Sequence, residues 1–137
     1  MQAKGDKLIL IIENETSEAS SVKKWSLTEG VIPVFVASGV EALLWLGKGN
    51  IPDMILADAA MDKMPGEEFI RTIRRSGFFQ EIPVLVFGNP EHQLTIVAMR
   101  QAGAGDHIFL PSEPDFIHER VMKAFSAKAS AMAGYSF

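Results

Sequence analysis

The stretch Pro52-Asp53-Met54-Ile55-Leu56-Ala57-Asp58 decides the fold. Its apolar middle reads as a strand, Met54 to Ala57, buried on both faces, and it delivers a carboxylate at its C-terminal end. Gly66 then opens an amphipathic helical pattern, so the connecting loop is short and lies over Asp58. In open α/β folds the carboxyl edge of the parallel strands is where ligands bind. Whether Asp58 has the neighbours that chemistry requires is decided by the segments around it.

Strand-length apolar runs alternate with helical patterns along the whole chain. Leu8 to Ile12 is continuous and unalternating, as a covered parallel strand should be. Thr16 or Ser17 can cap a first helix carrying Ala19, Val22 and Trp25 on its apolar side, with Gly30 as its end. Val31 to Ala37 is a second strand, and Pro33 assigns it to an edge because proline cannot donate to a ladder. A short helix from Gly39 to Leu46 carries Val40, Leu43, Leu44 and Trp45. A third helix runs from about Gly66 to Ser76, burying Phe69, Ile70 and Ile73, with Arg71, Arg74 and Arg75 toward water. Pro83 to Phe87 is the fourth strand, Pro90 fits the first turn of a fourth helix, and Gly103 ends that helix. His107 to Leu110 is the fifth strand; Pro114 starts a fifth helix with Phe116, Ile117, Val121 and Phe125 inward. Five βα units with right-handed crossovers give an α/β fold, a flavodoxin-like, doubly wound five-stranded parallel sheet of order 2-1-3-4-5 with five helices. The domain is expected over residues 6–125, with 126–137 as a helical extension, linker or tail ending in a frayed Gly134-Tyr135-Ser136-Phe137.

Composition narrows the function classes. A chain of 137 residues with net charge −4 offers one domain and no basic surface for nucleic acid. With no cysteine there are no disulfides and no thiolate metal sites, which fits a reducing cytoplasm. No apolar run approaches the roughly 20 residues of a membrane span, and no signal peptide is expected.

The topology brings four strand ends to one crevice: Glu13 and Asn14 from strand one, Asp58 from strand three, Gly88 and Asn89 from strand four, and Leu110 before Pro111 from strand five. With these residues in order the chain resembles the receiver domain of bacterial response regulators, over roughly residues 6 to 125. The matching landmarks are the acid at Glu13, the Pro52–Asp58 run, Met61, Gly66, Pro83, Ala102-Gly103-Ala104 and Pro111. The resemblance implies that Asp58 is a phosphoacceptor for a histidine kinase and that an acidic pair beside it holds Mg2+. It also implies a Ser or Thr hydroxyl ending strand four, a lysine before the strand-five proline, an aromatic switch residue in strand five, and a commonly cis bond at the Leu110-Pro111 junction. The charge logic is plain: phosphoryl transfer to a carboxylate joins two anions, so cations must neutralise them.

The sequence departs from that pattern at most of these places. The acidic pair is Glu13-Asn14, so Glu13, Asp58, Asn14 and the carbonyl of Ala60 can assemble only a weak Mg2+ site. Gly88 stands at the hydroxyl position, Leu110 at the lysine position and His107 at the aromatic position. Losing the lysine and the hydroxyl removes about 2–4.5 kcal/mol of stabilisation that depends on the phosphoryl group. Driving an equilibrium from one extreme to the other takes about 5.5 kcal/mol. The loss assumes that no other cation replaces the lysine; Lys63, on the loop just after Asp58, is the nearby candidate.

Each residue also has a plainer reading. Asp58 can be a strand-end carboxylate accepting backbone N–H groups, Glu13 a solvated acid, and Asn14 a turn or cap residue. His107 reads first as packed or exposed, His92 and His118 as helical residues with no shared role, and Trp25 and Trp45 as core. The expected function is an atypical receiver acting as a protein-interaction module with degenerate phosphorylation machinery, cytoplasmic and not an enzyme. The alternative is a weakened phosphoacceptor in a phosphorelay. The resemblance places the partner surface on helix four, strand five and helix five, at Ile96, Met99, Arg100, Phe109 and Glu119. Partners are then a histidine kinase, a downstream effector, an attached output domain or a second copy of the chain in a homodimer, with no nucleic acid and no membrane. A flavin site is disfavoured by the acidic Glu13-Asn14-Glu15-Thr16 loop. A haloacid-dehalogenase-type phosphatase is disfavoured by Ala60, where a second acid is needed.

Overall fold

The computed structural model of the chain describes residues 5–14 and 19–134. The element order is β1 (Lys7–Ile12), α1 (Ala19–Trp25), β2 (Val31–Val36), α2 (Gly39–Gly47), β3 (Met54–Asp58), α3 (Gly66–Arg75), β4 (Val84–Gly88), a 3-10 turn (Pro90–His92), α4 (Gln93–Ala102), β5 (Asp106–Phe109) and α5 (Pro114–Gly134). The sheet is parallel with order β2-β1-β3-β4-β5, which is the expected topology, and Pro33 lies on the edge strand β2. The caps expected at Thr16 or Ser17, and Tyr135 to Phe137, fall outside the described residues.

Strand side chains alternate between the two faces of a sheet, and the core divides accordingly. Leu10, Ile12, Ile55, Ala57, Val84 and Val86 pack under α2, α3 and α4. Their neighbours Ile9, Ile11, Met54, Leu56, Leu85 and Phe87 pack under α1 and α5 with Trp25, Ile117 and Val121. The continuous apolar runs are thus two interleaved faces, both covered.

Asp53, inside the deciding stretch, closes the start of this arrangement. Its N–H donates to the Leu8 carbonyl at 2.7 Å, and its carboxylate accepts from the Leu8 N–H at 2.8 Å. Asp53 therefore locks β3 beside β1, and the register Ile12 to Ala57 and Asp58 to Phe87 brings the strand ends level.

Several side chains depart from the sequence reading. Helix α1 stops at Trp25, and Gly30, with φ +89°, forms the turn into β2 instead of ending the helix. On α2 the buried positions are Gly39, Ala42 and Leu46, while Val40 and Leu44 are exposed and Trp45 is half-buried. Arg74 does not face water: it is half-buried, its guanidinium donating to the carbonyls of Gly103, Gln80 and Ile82. Phe116 is exposed, whereas Ile117 beside it is buried. Trp25 is core as expected, and its indole N–H donates to His118 Nδ1 at 3.2 Å.

Candidate functional site

The crevice forms where β1, β3, β4 and β5 end. Asp58 is only 3% exposed there. Its carboxylate accepts the Ala60 N–H at 2.8 Å and the Asn14 N–H at 3.1 Å. Burial raises the Asp58 carboxyl above its ordinary value; the Ala60 and Asn14 N–H groups and the field of His92 pull it back, and the Glu13 charge pushes it up. The net direction is upward, so burial outweighs the donors.

Glu13 is buried, not solvated, and its Oε1 pairs with Lys23 Nζ of α1 at 3.0 Å. Its other oxygen, Oε2, is buried with no hydrogen-bond partner among the described residues. Asn14 ties the two strand ends together: besides its backbone bond to Asp58, its side-chain N–H donates to the Ala60 carbonyl at 3.1 Å. Among the described residues no three His, Asp or Glu side chains form a metal cluster. A hard cation would be held instead by the Glu13 and Asp58 carboxylates and the Ala60 carbonyl, oxygen donors of the kind Mg2+ prefers. The donor chemistry fits Mg2+, with the partnerless Oε2 as its natural ligand. Lys23 on Glu13 and Asn14 on Ala60 each occupy a lone pair, so the fit is that of a weak site.

The other strand ends depart further. Gly88 lies level with Phe109 of β5, and the Leu110 N–H donates to the Gly88 carbonyl at 2.9 Å. A Cβ on Gly88 would sit 2.9 Å from the Ala59 Cβ and 3.5 Å from His92 Nδ1, so the position is walled in. Leu110, 2% exposed, packs in the apolar cluster with Ile9, Leu56, Phe87 and Ile117, and the bond to Pro111 is cis as the resemblance implied. Lys63 is exposed at φ 65°, its N–H held by its neighbour Asp62, and it is not among the groups that shift Asp58. Among the described residues, the cation that pairs with a crevice carboxylate is Lys23, on Glu13. Sequence reasoning did not single out Lys23 and read His92 only as a helical residue, although His92 lies one short proline turn beyond Gly88.

Away from the crevice, β5 is tied down by a charged network. Asp106 accepts a forked pair of bonds from Arg120 and lies 3.6 Å from Arg100, whose Nη1 meets His107 Nδ1 at 2.7 Å. Burial pushes Asp106 up, but the Arg120 bonds, the His107 N–H and the two guanidinium charges outweigh it and hold the carboxyl below its ordinary value. Burial and the Arg100 charge depress His107, against the opposing pull of Asp106. The His107 ring stands edge-on to Phe109 at 5.0 Å between centroids. On this side Arg100, Phe109 and Glu119 are exposed as expected, but Ile96 and Met99 are buried in the core beneath α4. The apolar residues outward on α4 are Leu94, 87% exposed, and Val97.

Comparison with known proteins agrees with the geometry. The family described as response regulator receiver domain matches residues 9–122. The Regulator of RpoS from Escherichia coli is 35% identical over 105 residues, covering 77% of this chain and 30% of that protein. The chain thus spans about a third of the length of that curated relative, 30%. Among solved structures, a putative response regulator from Chloroflexus aurantiacus superposes with TM-score 0.80 at 24% identity, over 88% of this chain and 98% of that one. The receiver domain of a Pseudomonas aeruginosa sensor histidine kinase, described with a magnesium ion coordinated in its active-site cleft, superposes with TM-score 0.77 at 19% identity, over 88% and 98%. At these identities the structural likeness speaks for the fold. Among the described residues no helix is long and apolar enough to cross a membrane.

Proposed function

The chain belongs to the response regulator receiver domain family of two-component signalling, and from that premise we propose that it works as a protein-interaction module whose docking face is held without phosphorylation. The observation that carries this reading is Leu110, buried in the apolar cluster where the resemblance calls for a lysine. An ammonium at that position would be the cation that reports a phosphoryl group on Asp58 to β5; a leucine has no charge to respond with. The Arg100–His107 contact and the Asp106–Arg120 pair support the same conclusion, because they fix β5 from the other side. The docking face comprises Leu94, Val97, Arg100, Phe109 and Glu119, and its partner is an effector protein or an attached output domain. The likeness to the Regulator of RpoS supports a regulatory role. Residues 6–125 form the receiver unit, and α5 continues past it to Gly134.

In the natural full-length protein, Asp58→Ala is expected to leave regulatory output within about twofold, while Leu94→Asp together with Phe109→Asp removes most of it. Large surface anchors dominate interface energy, so the double change is expected to weaken partner binding by about 100-fold or more. Output measured in cells carrying each variant checks this. Loss of output with Asp58→Ala alone would sink the reading.

A second reading, favoured by the partnerless Glu13 Oε2 beside Asp58, is a weakened phosphoacceptor served by a histidine kinase. Here Glu13, Asp58 and the Ala60 carbonyl would hold Mg2+, which when bound would supply positive charge at the crevice. The two readings are compatible: Asp58 can accept a group that the docking face does not register.

A further inference from the structure

We propose that His92 is the side chain that grips an anionic group carried by Asp58, in place of a strand-four hydroxyl. The inference rests on the second reading above, that Asp58 accepts a phosphoryl-type group. Gly88 supplies no side chain, and the space beside it is bounded by the Ala59 methyl and the His92 ring. The imidazole therefore stands next to the place from which a hydroxyl would act. Its Nδ1 is buried and has no hydrogen-bond partner among the described residues. Buried polar atoms are nearly always paired, so a partnerless one at the lip of an anion site has a ligand to explain. His92 also acts on the Asp58 carboxylate through space, favouring its charged form, which sets the two groups within electrostatic reach.

The local chain builds this placement. Asn89 caps the Pro90–His92 turn, accepting the Glu91 N–H at 2.8 Å through its side chain and the His92 N–H at 3.0 Å through its carbonyl. Proline at the first position fixes the turn, and α4 begins at Gln93 immediately after it. His92 is thus carried back over Gly88 by a rigid turn.

The chemistry asked of it is modest. In transfer, an Asp58 oxygen forms the bond to phosphorus as the donor's own bond to phosphorus breaks, and the donor leaves with that electron pair. His92 makes and breaks no covalent bond. With Nδ1 protonated, it donates a hydrogen bond to a terminal oxygen of the transferred group, and either ring charge state allows this tautomer. The ring borders Gly88 at the end of β4, beside the group it would engage. His92 is a ligand to the product group and not a relay to the docking face.

Beryllofluoride with Mg2+ is the probe, followed by fluorine NMR on the intact chain. The wild-type protein is expected to give a bound fluoride signal, and Asp58→Asn none. His92→Ala should weaken the adduct about tenfold, the scale of one hydrogen bond to a charged group. His92→Asn places an N–H near the same point and should recover most of the affinity. Nitrogen NMR of wild-type His92 should show the Nδ1 resonance moving on adduct formation, a readout that survives if the alanine variant folds poorly. Equal affinity of wild type and His92→Ala, or an unmoved Nδ1 resonance, overturns the role of His92 and leaves Asp58 as an acceptor. No adduct on the wild-type chain overturns both. Fluoride bound equally by Asp58→Asn means a free anion site and overturns the proposal as stated.

Discussion

Replacing Trp25 by alanine is expected to remove about 3–5 kcal/mol of stability, much of the roughly 5–15 kcal/mol a domain of this kind possesses. Trp25 has no exposed surface and belongs to the cluster in which α1 and α5 meet the sheet. Deleting the indole removes the largest side chain of that face and leaves a cavity that surrounding strands cannot collapse into. It also leaves His118 Nδ1 without its indole donor. Trp25→Phe separates the two contributions: much of the ring bulk stays, the N–H is lost, and the expected cost falls to about 1–2 kcal/mol. Urea denaturation of both variants checks this. A loss below about 1 kcal/mol for Trp25→Ala would mean that α1 and α5 do not depend on the indole for their packing.

Asp58→Asn is expected to abolish the beryllofluoride adduct and, at neutral pH, to stabilise the fold by on the order of 1 kcal/mol. The adduct needs a carboxylate oxygen, which asparagine lacks. The stability gain follows from burial, which holds the Asp58 carboxyl above its ordinary 3.8. Between the raised native value and 3.8 the folded chain binds a proton that the unfolded chain does not. Wild-type stability from Asp58 therefore rises as pH falls through that window, and at neutral pH the charged form imposes its full cost. Asp106 works in the opposite sense, since its carboxyl is held below 3.8. Its contribution is fully present above 3.8 and is lost as pH falls below that, through its native value. Urea midpoints followed from neutral pH to 3.8 should show an upward slope in the wild type that flattens in Asp58→Asn. A variant less stable than wild type at neutral pH would show that the donors from Asn14 and Ala60 outweigh burial.

Much of the fold was legible because both faces of the sheet are covered. That demand forces unbroken apolar runs at Leu8–Ile12 and Met54–Ala57, and Pro33 gave away the edge strand. The placement of Asp58 was legible for the same reason, since the run had to end at the sheet's carboxyl edge. Errors on the helices came from counting apolar residues without following their phase. Ile96 and Met99 lie three apart on the side of α4 that faces the sheet, while Leu94 and Val97 point away. Arg74 lies four residues beyond Ile70, on the buried side of α3, and finds carbonyls there in place of water.

His92 and Lys23 were missed for a different reason. Each reaches the crevice from a helical or turn segment whose return path a linear reading does not fix. The available signal at His92 was the short step from Gly88 through Asn89-Pro90, a turn tight enough to carry the next side chain back. Lys23 follows Val22 on α1, close enough to the end of β1 to meet Glu13.

Amide hydrogen exchange before and after saturation with Mg2+ and beryllofluoride tests the central claim most directly, namely that Asp58 and the docking face are uncoupled. Added protection is expected at Glu13 and Asn14, at Ala59 to Lys63 and around Gly88 to His92. Exchange from Val97 to Phe109 should stay unchanged, because Leu110 transmits no charge and Arg100 and Arg120 already hold β5. Altered exchange at His107, Phe109 and the body of α4 on adduct formation would contradict the account.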